Sequence, residues 1–219
     1  MTQLVILDFD GTLADTQPII IASIQATLRE LHLPEHTDAE CRSIIGLPLH
    51  ECFVTLCGVD DDLAEHCADV YRHVFDELNT DGTVRLFPHV LETIKTLHDR
   101  GLQLAICSSR GRPTLDGFVK TFHLEHYVSM VVSAGDVEHH KPHPEPVQKI
   151  LAALGVVPEE AVVVGDASYD ILMGRAAGCR TVGVTYGNQS ADDLSAAGAD
   201  HLIDDFADLL TLPIAPMPC

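Results

Sequence analysis

Basic residues are scarce in this sequence. Thirteen lysines and arginines stand against 33 aspartates and glutamates, so the formal charge is −20 at pH 7 over 219 residues. A charge of this size repels nucleic acid and anionic membrane surfaces, and neither is expected as a partner. Because carboxylates are in excess, a phosphate-binding pocket must be made positive locally, by a metal ion, a few placed cations or helix N-termini.

Long apolar runs and paired cysteines are also missing. No stretch approaches the roughly 20 apolar residues that a bilayer-spanning helix needs, and the start, MTQLVILDFDG, lacks the basic beginning of a signal peptide. The seven cysteines are scattered without C-x-x-C spacing. This pattern predicts reduced thiols in a cytoplasmic protein, with a zinc site as the alternative. We expect a monomer, with a homodimer as the alternative.

Short β-branched runs alternate with helical segments along the chain. They predict five strands, at 4–7, 102–106, 128–132, 161–164 and 181–184. Strands that alternate with helices form parallel sheets, and continuous apolar runs such as LVIL indicate strands buried on both faces. The sequence therefore predicts a doubly wound, Rossmann-like α/β core. Its predicted helices include 88–100, which opens at Pro88, and 170–177, which closes on Gly178.

Almost a hundred residues separate the first two predicted strands, far more than one crossover helix needs. Their pattern is helical throughout: an apolar spacing covers 18–31, Thr37 and Glu40 form a predicted capping box, and acidic residues open a helix at 60–78. The sequence therefore predicts a helical insert in the α/β core.

The boundaries of this insert follow from the same pattern. We assign residues 15–84 to a helical cap domain, and residues 1–14 together with 85–219 to the α/β core domain. Hinges are expected at 14–16 and 81–86, and the proline-rich tail PIAPMPC is expected to be an extended end.

Polar residues follow the predicted strands, where ligands bind in an open parallel sheet. Crowded carboxylates repel one another unless a cation lies among them, and Mg²⁺ is a hard ion bound by one or two carboxylates together with phosphate. The strand ends thus predict a magnesium and phosphate site. Its candidate residues are Asp8, Asp10, Gly11 and Thr12 after the first strand, Ser108, Ser109 and Arg110 after the second, Lys141 after the third, and Asp166 and Asp170 after the fourth.

The order and spacing of these residues resemble a known family. Asp8-x-Asp10-Gly11-Thr12, Ser108, Lys141-Pro142 and Gly165-Asp166-x-x-x-Asp170 look like the four motifs of the haloacid dehalogenase-like phosphatases. The helical insert between the first two motifs is similar to the cap of phosphoglycolate phosphatase and β-phosphoglucomutase. The resemblance covers nearly the whole chain. It implies a magnesium-dependent phosphatase that acts on a small phosphorylated metabolite.

The resemblance also implies a role for each motif residue. Asp8 would be the nucleophile that forms an aspartyl phosphate, and Asp10 would be the general acid and base. Lys141 and Ser108 would hold the phosphoryl oxygens. The implied magnesium ligands are Asp8, Asp166, Asp170, directly or through water, and Asp10 through its backbone carbonyl. Substrate contacts are expected from Gly11, Thr12, Ser109, Arg110, Gly46 and Leu47.

Single residues in these motifs have other interpretations. Ser108 could cap the next helix, and Asp170 could be an ordinary acid at a helix start. His139 and His140 are expected to be solvated rather than metal ligands. Ala167 stands where the family commonly has a serine or threonine, which predicts a missing hydrogen bond next to the metal site.

The sequence leaves more alternatives for the reaction type and the substrate than for the family. The simplest interpretation is a hydrolase; the alternatives are a phosphotransferase or mutase on the same fold and a non-catalytic binding module. Ser109 and Arg110 replace the frequent Asn-Lys of the family. They are expected to change the contacts between the pocket and the leaving group. The apolar segment 45–49 resembles the substrate-specificity loop of the family. It predicts fewer charged contacts than a dicarboxylate-like substrate requires.

Overall fold

The computed structural model describes residues 2–213. A six-stranded sheet with the strand order β5-β4-β1-β6-β7-β8 forms the core, and a two-stranded sheet pairs β2 with β3. The strands are β1 (Leu4–Leu7), β2 (Ala14–Asp15), β3 (Arg85–Leu86), β4 (Gln103–Cys107), β5 (Met130–Val132), β6 (Ala161–Gly165), β7 (Arg180–Val184) and β8 (His201–Ile203).

Nine α-helices surround and extend this sheet within the described residues. They are α1 (Gln17–Glu30), α2 (Asp38–Ser43), α3 (Leu49–Cys57), α4 (Asp61–Leu78), α5 (Val90–Asp99), α6 (Arg112–Thr121), α7 (Glu145–Leu154), α8 (Ser168–Ala176) and α9 (Ala191–Ala196). None of the helices in residues 2–213 has the length and apolar character needed to cross a membrane.

All pairs in the large sheet are parallel, and β1 lies at its centre between β4 and β6. Its side chains alternate between the two faces: Val5 and Leu7 belong to one hydrophobic cluster, and Leu4 and Ile6 belong to the other. Helices cover both faces, so the strand is apolar at every position. The prediction of a doubly wound α/β core is confirmed.

Helices α1 to α4 form the insert between β2 and β3. The two short strands are the chain segments that enter and leave the insert, and they pair antiparallel, Ala14 with Leu86 and Asp15 with Arg85. The first hydrophobic cluster continues from the sheet into the insert without a break. The predicted capping box forms as expected: the Thr37 side chain accepts from the Glu40 backbone N–H, and Glu40 accepts from the Thr37 N–H.

The structure differs from the sequence predictions at several elements. Helix α3 and strand β8 were not predicted, because each is a short segment with little periodicity of its own. Helix α5 begins at Val90 rather than at Pro88, since the preceding His89 has φ of 62° and interrupts the helical backbone. The predicted extended tail lies almost wholly outside the described residues. The six described cysteines are free, as expected, at positions 41, 52, 57, 67, 107 and 179.

Candidate active site

The candidate site lies at the carboxyl end of β1, where the order of strands reverses direction. From β1 the chain passes to β4 on one side and later to β6 on the other. Asp8 directly follows β1, Ser108 follows β4, and Asp166 follows β6. The register pairs Leu7 with both Ile106 and Val164, so Ser108 and Asp166 lie only one residue beyond the level of Asp8. This is the crevice where ligands bind in open α/β sheets.

Three buried carboxylates meet in this crevice around one lysine. Oxygens of Asp8, Asp166 and Asp170 lie within 4.8 Å of one another. Lys141 Nζ donates hydrogen bonds of 2.6 Å to Asp8 Oδ1 and of 2.6 Å to Asp170 Oδ1. Lys141 is only 5% exposed, so its ammonium is removed from solvent together with the carboxylates. The structure therefore brings together residues that are up to 162 positions apart in the chain.

The charges of this group do not balance, because three carboxylates face one ammonium. Burial raises the pKa of Asp8 well above its usual range, against the opposing effect of Lys141. Burial and the neighbouring Asp170 raise the pKa of Asp166 to about 7. Burial lowers the pKa of Lys141, but its ion pairs with Asp170 and Asp8 outweigh that effect and raise it well above its ordinary value. The site as it stands has a deficit of positive charge.

Asp166 is held in place by several hydrogen bonds. Its Oδ2 accepts from the backbone N–H of Asn188 at 2.7 Å and from Asn188 Nδ2 at 2.6 Å. Thr12 is fully buried, and its hydroxyl donates to Asp166 Oδ1 at 3.3 Å. A Cβ at Gly11 would lie 2.1 Å from Asp166 Oδ2, and Gly11 has φ of 84°. Only glycine allows this close approach in this backbone conformation.

The chemistry of these residues fits a divalent cation. The group offers only oxygen ligands, which hard ions such as Mg²⁺ prefer, and its carboxylates are fixed by neighbouring residues before an ion arrives. A divalent cation would also remove the charge imbalance. Three of the four predicted metal residues, Asp8, Asp166 and Asp170, are thus placed together.

The side chain of Asp10 lies outside the carboxylate group and is bound by Arg110. Arg110 Nη2 donates to Asp10 Oδ1 at 2.6 Å, and Nε donates to Oδ2 at 3.0 Å. The guanidinium lies against two aromatic rings, 4.8 Å from the ring centroid of Phe75 in α4 and 5.2 Å from that of Phe118 in α6. The Asp10 side chain is therefore engaged by Arg110 and does not belong to the carboxylate group. Arg110 connects Asp10, the insert and the core.

The loop after β4 contacts the insert directly. The Ser109 hydroxyl donates to the Gly46 carbonyl at 2.6 Å. The Ser108 hydroxyl accepts from the Arg110 N–H at 3.2 Å, and Ser108 does not cap α6, whose N-cap is Gly111. The loop containing Gly46 therefore rests on the core beside the strand ends. The alternative interpretation of Ser108 as a helix cap is wrong.

A cavity of about 590 Å³ opens from Asp8 and Asp10 between the insert and the core. The predicted substrate residues Gly46, Leu47, Ser109 and Arg110 line it, together with Ser108. Gly11 and Thr12, which were predicted as substrate contacts, do not line it, because both face Asp166. The apolar segment 45–49 forms part of the cavity wall.

A second group of possible metal ligands is exposed on the loop around Lys141. His139, His143 and Glu145 have ligand atoms within 4.8 Å of one another. The Glu145 carboxylate accepts from the backbone N–H groups of Glu138 and His139, each at 2.9 Å, and contacts His139 Nδ1 at 2.8 Å. These hydrogen bonds shape the loop that carries Lys141 and account for the arrangement without an ion.

Sequence reasoning missed several residues of the site. Asn188, Phe75 and Phe118 were not predicted, and Arg110 was not predicted to pair with Asp10. Asn188 follows β7 in Tyr186-Gly187-Asn188. The rule that polar residues after parallel strands point into the crevice would have found it. The two phenylalanines carry no such signal, because apolar residues at helical spacing occur in every core.

Comparisons with known proteins identify the family of the chain. A model of the haloacid dehalogenase-like hydrolases matches residues 5–184. Pyrophosphatase PpaX of Bacillus pumilus is 38% identical over 208 residues, covering 95% of this chain and 94% of the relative, and that of Anoxybacillus flavithermus is 34% identical, covering 95% of each. Among solved structures, a predicted phosphoglycolate phosphatase from Haemophilus somnus is 27% identical with a TM-score of 0.86, covering 96% of this chain and 97% of that one. The chain belongs to the family of haloacid dehalogenase-like hydrolases, as its motifs predict.

Proposed function

We propose that the protein is a magnesium-dependent phosphatase that hydrolyses a small phosphomonoester through an aspartyl phosphate on Asp8. The roles proposed for the site residues are those that the resemblance to phosphoglycolate phosphatase implies. The observation that carries the proposal is the ion pair of a buried lysine with two of three clustered carboxylates, one of which, Asp8, also lines the cavity. Such a group is costly to bury unless it binds a cation and an anionic substrate.

Magnesium would be held by Asp8, Asp166 and Asp170, with the backbone carbonyl of Asp10 as a further ligand. When bound, the ion neutralises charge on the phosphoryl oxygens and on the attacking carboxylate. Thr12 and Asn188 would position Asp166, since both donate hydrogen bonds to its carboxylate. This replaces the predicted substrate contact of Thr12 with a supporting role.

The proposed reaction consists of two successive displacements at phosphorus, in which Asp8 and Asp10 have different roles. An oxygen of Asp8 forms a bond to phosphorus while the ester P–O bond breaks, and Asp10 gives a proton to the departing oxygen. Water then attacks the phosphorus of the aspartyl phosphate and gives its proton to Asp10, and the Asp8 carboxylate is restored. In this step Asp10 Oδ1 can keep its bond to Arg110 Nη2, while Oδ2 gives up its bond to Arg110 Nε and contacts the leaving oxygen. Lys141 and Ser108 hold the phosphoryl oxygens.

The insert would act as a cap that closes over the substrate. We assign residues 15–84 to this cap and residues 1–14 and 85–219 to the catalytic core. The paired strands β2 and β3 would serve as the hinge, because they are the two connections between these parts. Contact of Ser109 with Gly46, and of Arg110 with Phe75, would hold the cap closed and exclude water during the reaction.

Pyrophosphate is a second candidate substrate. It is favoured by one observation, the identity of 34% and 38% to proteins named pyrophosphatase PpaX over nearly their whole length. The same carboxylates and lysine would serve either substrate, because both present a phosphoryl group to Asp8. The two candidates differ in the leaving group, which faces the cavity.

The test is hydrolysis of p-nitrophenyl phosphate with Mg²⁺ and with EDTA, by the wild-type protein and by Asp8→Asn. We expect turnover that EDTA abolishes and that Asp8→Asn lowers by at least about 10³-fold while the circular dichroism spectrum stays unchanged. Wild-type turnover by Asp8→Asn would end the assignment of the nucleophile. A mutase would instead pass phosphate between carbons of a sugar phosphate without ¹⁸O from labelled water entering inorganic phosphate.

A further inference from the structure

The cavity beside Asp8 is much larger than a phosphoryl group requires. Its volume of about 590 Å³ lies within the range of roughly 300–1,000 Å³ that is typical of pockets for drug-sized ligands. The phosphoryl group would occupy the end at Asp8 and Asp10. The rest of the space is available to the leaving group, so the walls there indicate what the leaving group is.

Those walls are mainly apolar and come from the insert. Helix α1 contributes Ile20 and Ile24, the segment before α3 contributes Ile44 and Leu47, and α4 contributes Phe75. A charged or strongly hydrated group loses its hydration against such a surface and receives no hydrogen bond in return. An alkyl or aryl group gains free energy there in proportion to the apolar area that it buries.

A second anionic group would find little positive charge in this cavity. Within the described residues its wall includes no lysine and two arginines, Arg72 and Arg110, and both are already paired. Arg110 binds Asp10, and Arg72 donates to Asp69 at 2.5 Å. Asp76 adds another carboxylate to the wall.

Two histidines also line the cavity, His50 and His140. His50 Nε2 lies 3.5 Å from Asp61 Oδ1 and 3.3 Å from the Asp61 carbonyl oxygen, so its polar edge is engaged with α4. His140 is the remaining basic side chain among the described residues of the wall. With two paired arginines, His50 engaged by Asp61 and the carboxylates of Asp10 and Asp76, the wall offers little positive charge to the carboxylate of phosphoglycolate or to the second phosphate of pyrophosphate.

We infer that the substrates are phosphomonoesters of apolar alcohols, with an alkyl or aryl leaving group and no second anionic group. This inference rests on the proposed phosphatase activity. The reaction is the one described above: the ester P–O bond breaks, the alcohol leaves with a proton from Asp10, and water supplies the oxygen of inorganic phosphate.

The experiment compares kcat/KM for ethyl, butyl and hexyl phosphate with Mg²⁺ present. These esters have leaving groups of similar basicity, so differences report contacts of the alkyl chain with the cavity. We expect kcat/KM to rise by about threefold per added methylene group, as burial of apolar area predicts. Phosphoglycolate and pyrophosphate, measured alongside, should each fall at least about tenfold below hexyl phosphate.

A pair of matched variants tests whether the dependence on chain length arises from contacts with the cavity wall. Leu47→Ser removes apolar surface from the cavity wall and should lower the ratio of kcat/KM for hexyl over ethyl phosphate. Leu78→Ser makes the same change at an exposed position of α4 that does not line the cavity, and should leave this ratio unchanged.

The outcomes separate this inference from the proposed function. Turnover that is independent of chain length, or that favours pyrophosphate or phosphoglycolate over hexyl phosphate, would overturn the inference and leave the phosphatase assignment standing. Absence of turnover on every ester, including p-nitrophenyl phosphate, would overturn both. An equal fall of the ratio in Leu47→Ser and Leu78→Ser would contradict the placement of the alkyl chain.

Discussion

The two sides of the candidate site differ in chemistry and in origin. The core side consists of buried charged groups at the ends of strands, among them Asp8, Lys141 and Asp166, which hydrogen bonds hold in one arrangement. The insert side is an apolar wall built from helices and one loop. Fixed charges act on the phosphoryl group, which all candidate substrates share. An apolar wall instead favours leaving groups whose shape and apolar area match it. Under the proposed function, the core would provide the chemistry and the insert would provide the choice of substrate.

The largest expected effect comes from removing the positive charge of the core side. Lys141→Ala should lower kcat/KM by about 10³-fold, because the phosphoryl oxygens lose a charged partner. It should also lower the free energy of unfolding without Mg²⁺ by about 3 kcal/mol, because Asp8 and Asp170 become unpaired buried carboxylates. Steady-state kinetics and urea denaturation measure the two effects.

Lys120→Ala is the control for this change, because Lys120 is exposed on α6. It should leave activity and stability unchanged. If Lys141→Ala lost neither activity nor stability, the buried lysine would have no part in the reaction. The assignment of the chemistry to the buried charges of the core would then be contradicted.

Arg110 contacts both the core side, through Asp10, and the insert side, through Phe75. Arg110→Lys keeps the charge but loses the two-point contact with Asp10 and the stacking on Phe75 and Phe118. We expect kcat/KM for p-nitrophenyl phosphate to fall by about 10- to 100-fold. Arg112→Lys, at the first residue of α6 and outside the cavity wall, should change it less than twofold. Equal effects of the two variants would show that Arg110 has no specific role in the reaction.

The pH dependence of magnesium binding tests the charge deficit of the core side. The pKa of Asp166 is raised to about 7 in the folded protein, so the folded state binds this proton more tightly than the unfolded chain does. Without a metal ion, this group therefore makes the protein less stable as pH rises from about 4 to about 7. Magnesium needs the ionised carboxylate, so its affinity should fall by up to about tenfold per pH unit below pH 7.

The measurement is the shift of the unfolding temperature with Mg²⁺ from pH 5.5 to pH 8.5. A larger shift at pH 8 than at pH 6 is expected, and Asp166→Asn should abolish it. A shift that does not depend on pH would contradict the account of the carboxylate group.

The smallest expected effect lies at the junction of the two sides. Thr16 precedes α1 and is fully buried, and its hydroxyl has no hydrogen-bond partner among residues 2–213. Thr16→Val should therefore stabilise the protein by about 1 kcal/mol. Thr27→Val, within α1, is the matched control. It should destabilise by a similar amount, since Thr27 Oγ1 donates to the Ser23 carbonyl at 2.8 Å. Equilibrium denaturation measures whether each substitution raises or lowers the free energy of unfolding.

The core side was largely predictable from the sequence, because its residues follow strands whose apolar runs are local signals. Strand β1 and the motif positions of Asp8, Asp166 and Asp170 are examples. Membership of the family follows from the same motifs. The pairing of Arg110 with Asp10 was not predictable, because two residues 100 positions apart meet only when α4 and α6 enclose the guanidinium. The cavity wall depends on how insert helices pack, which periodicity alone does not determine.

The central claim is that Asp8 carries the phosphoryl group. Its most direct test is to quench the enzyme during turnover of p-nitrophenyl phosphate with Mg²⁺, treat it with borohydride and analyse its peptides by mass spectrometry. Borohydride reduces an acyl phosphate to the alcohol, so homoserine should appear at position 8. It should not appear at positions 10, 166 or 170, nor when substrate is omitted. Homoserine at another position, or none at any position under conditions of full turnover, would contradict the account.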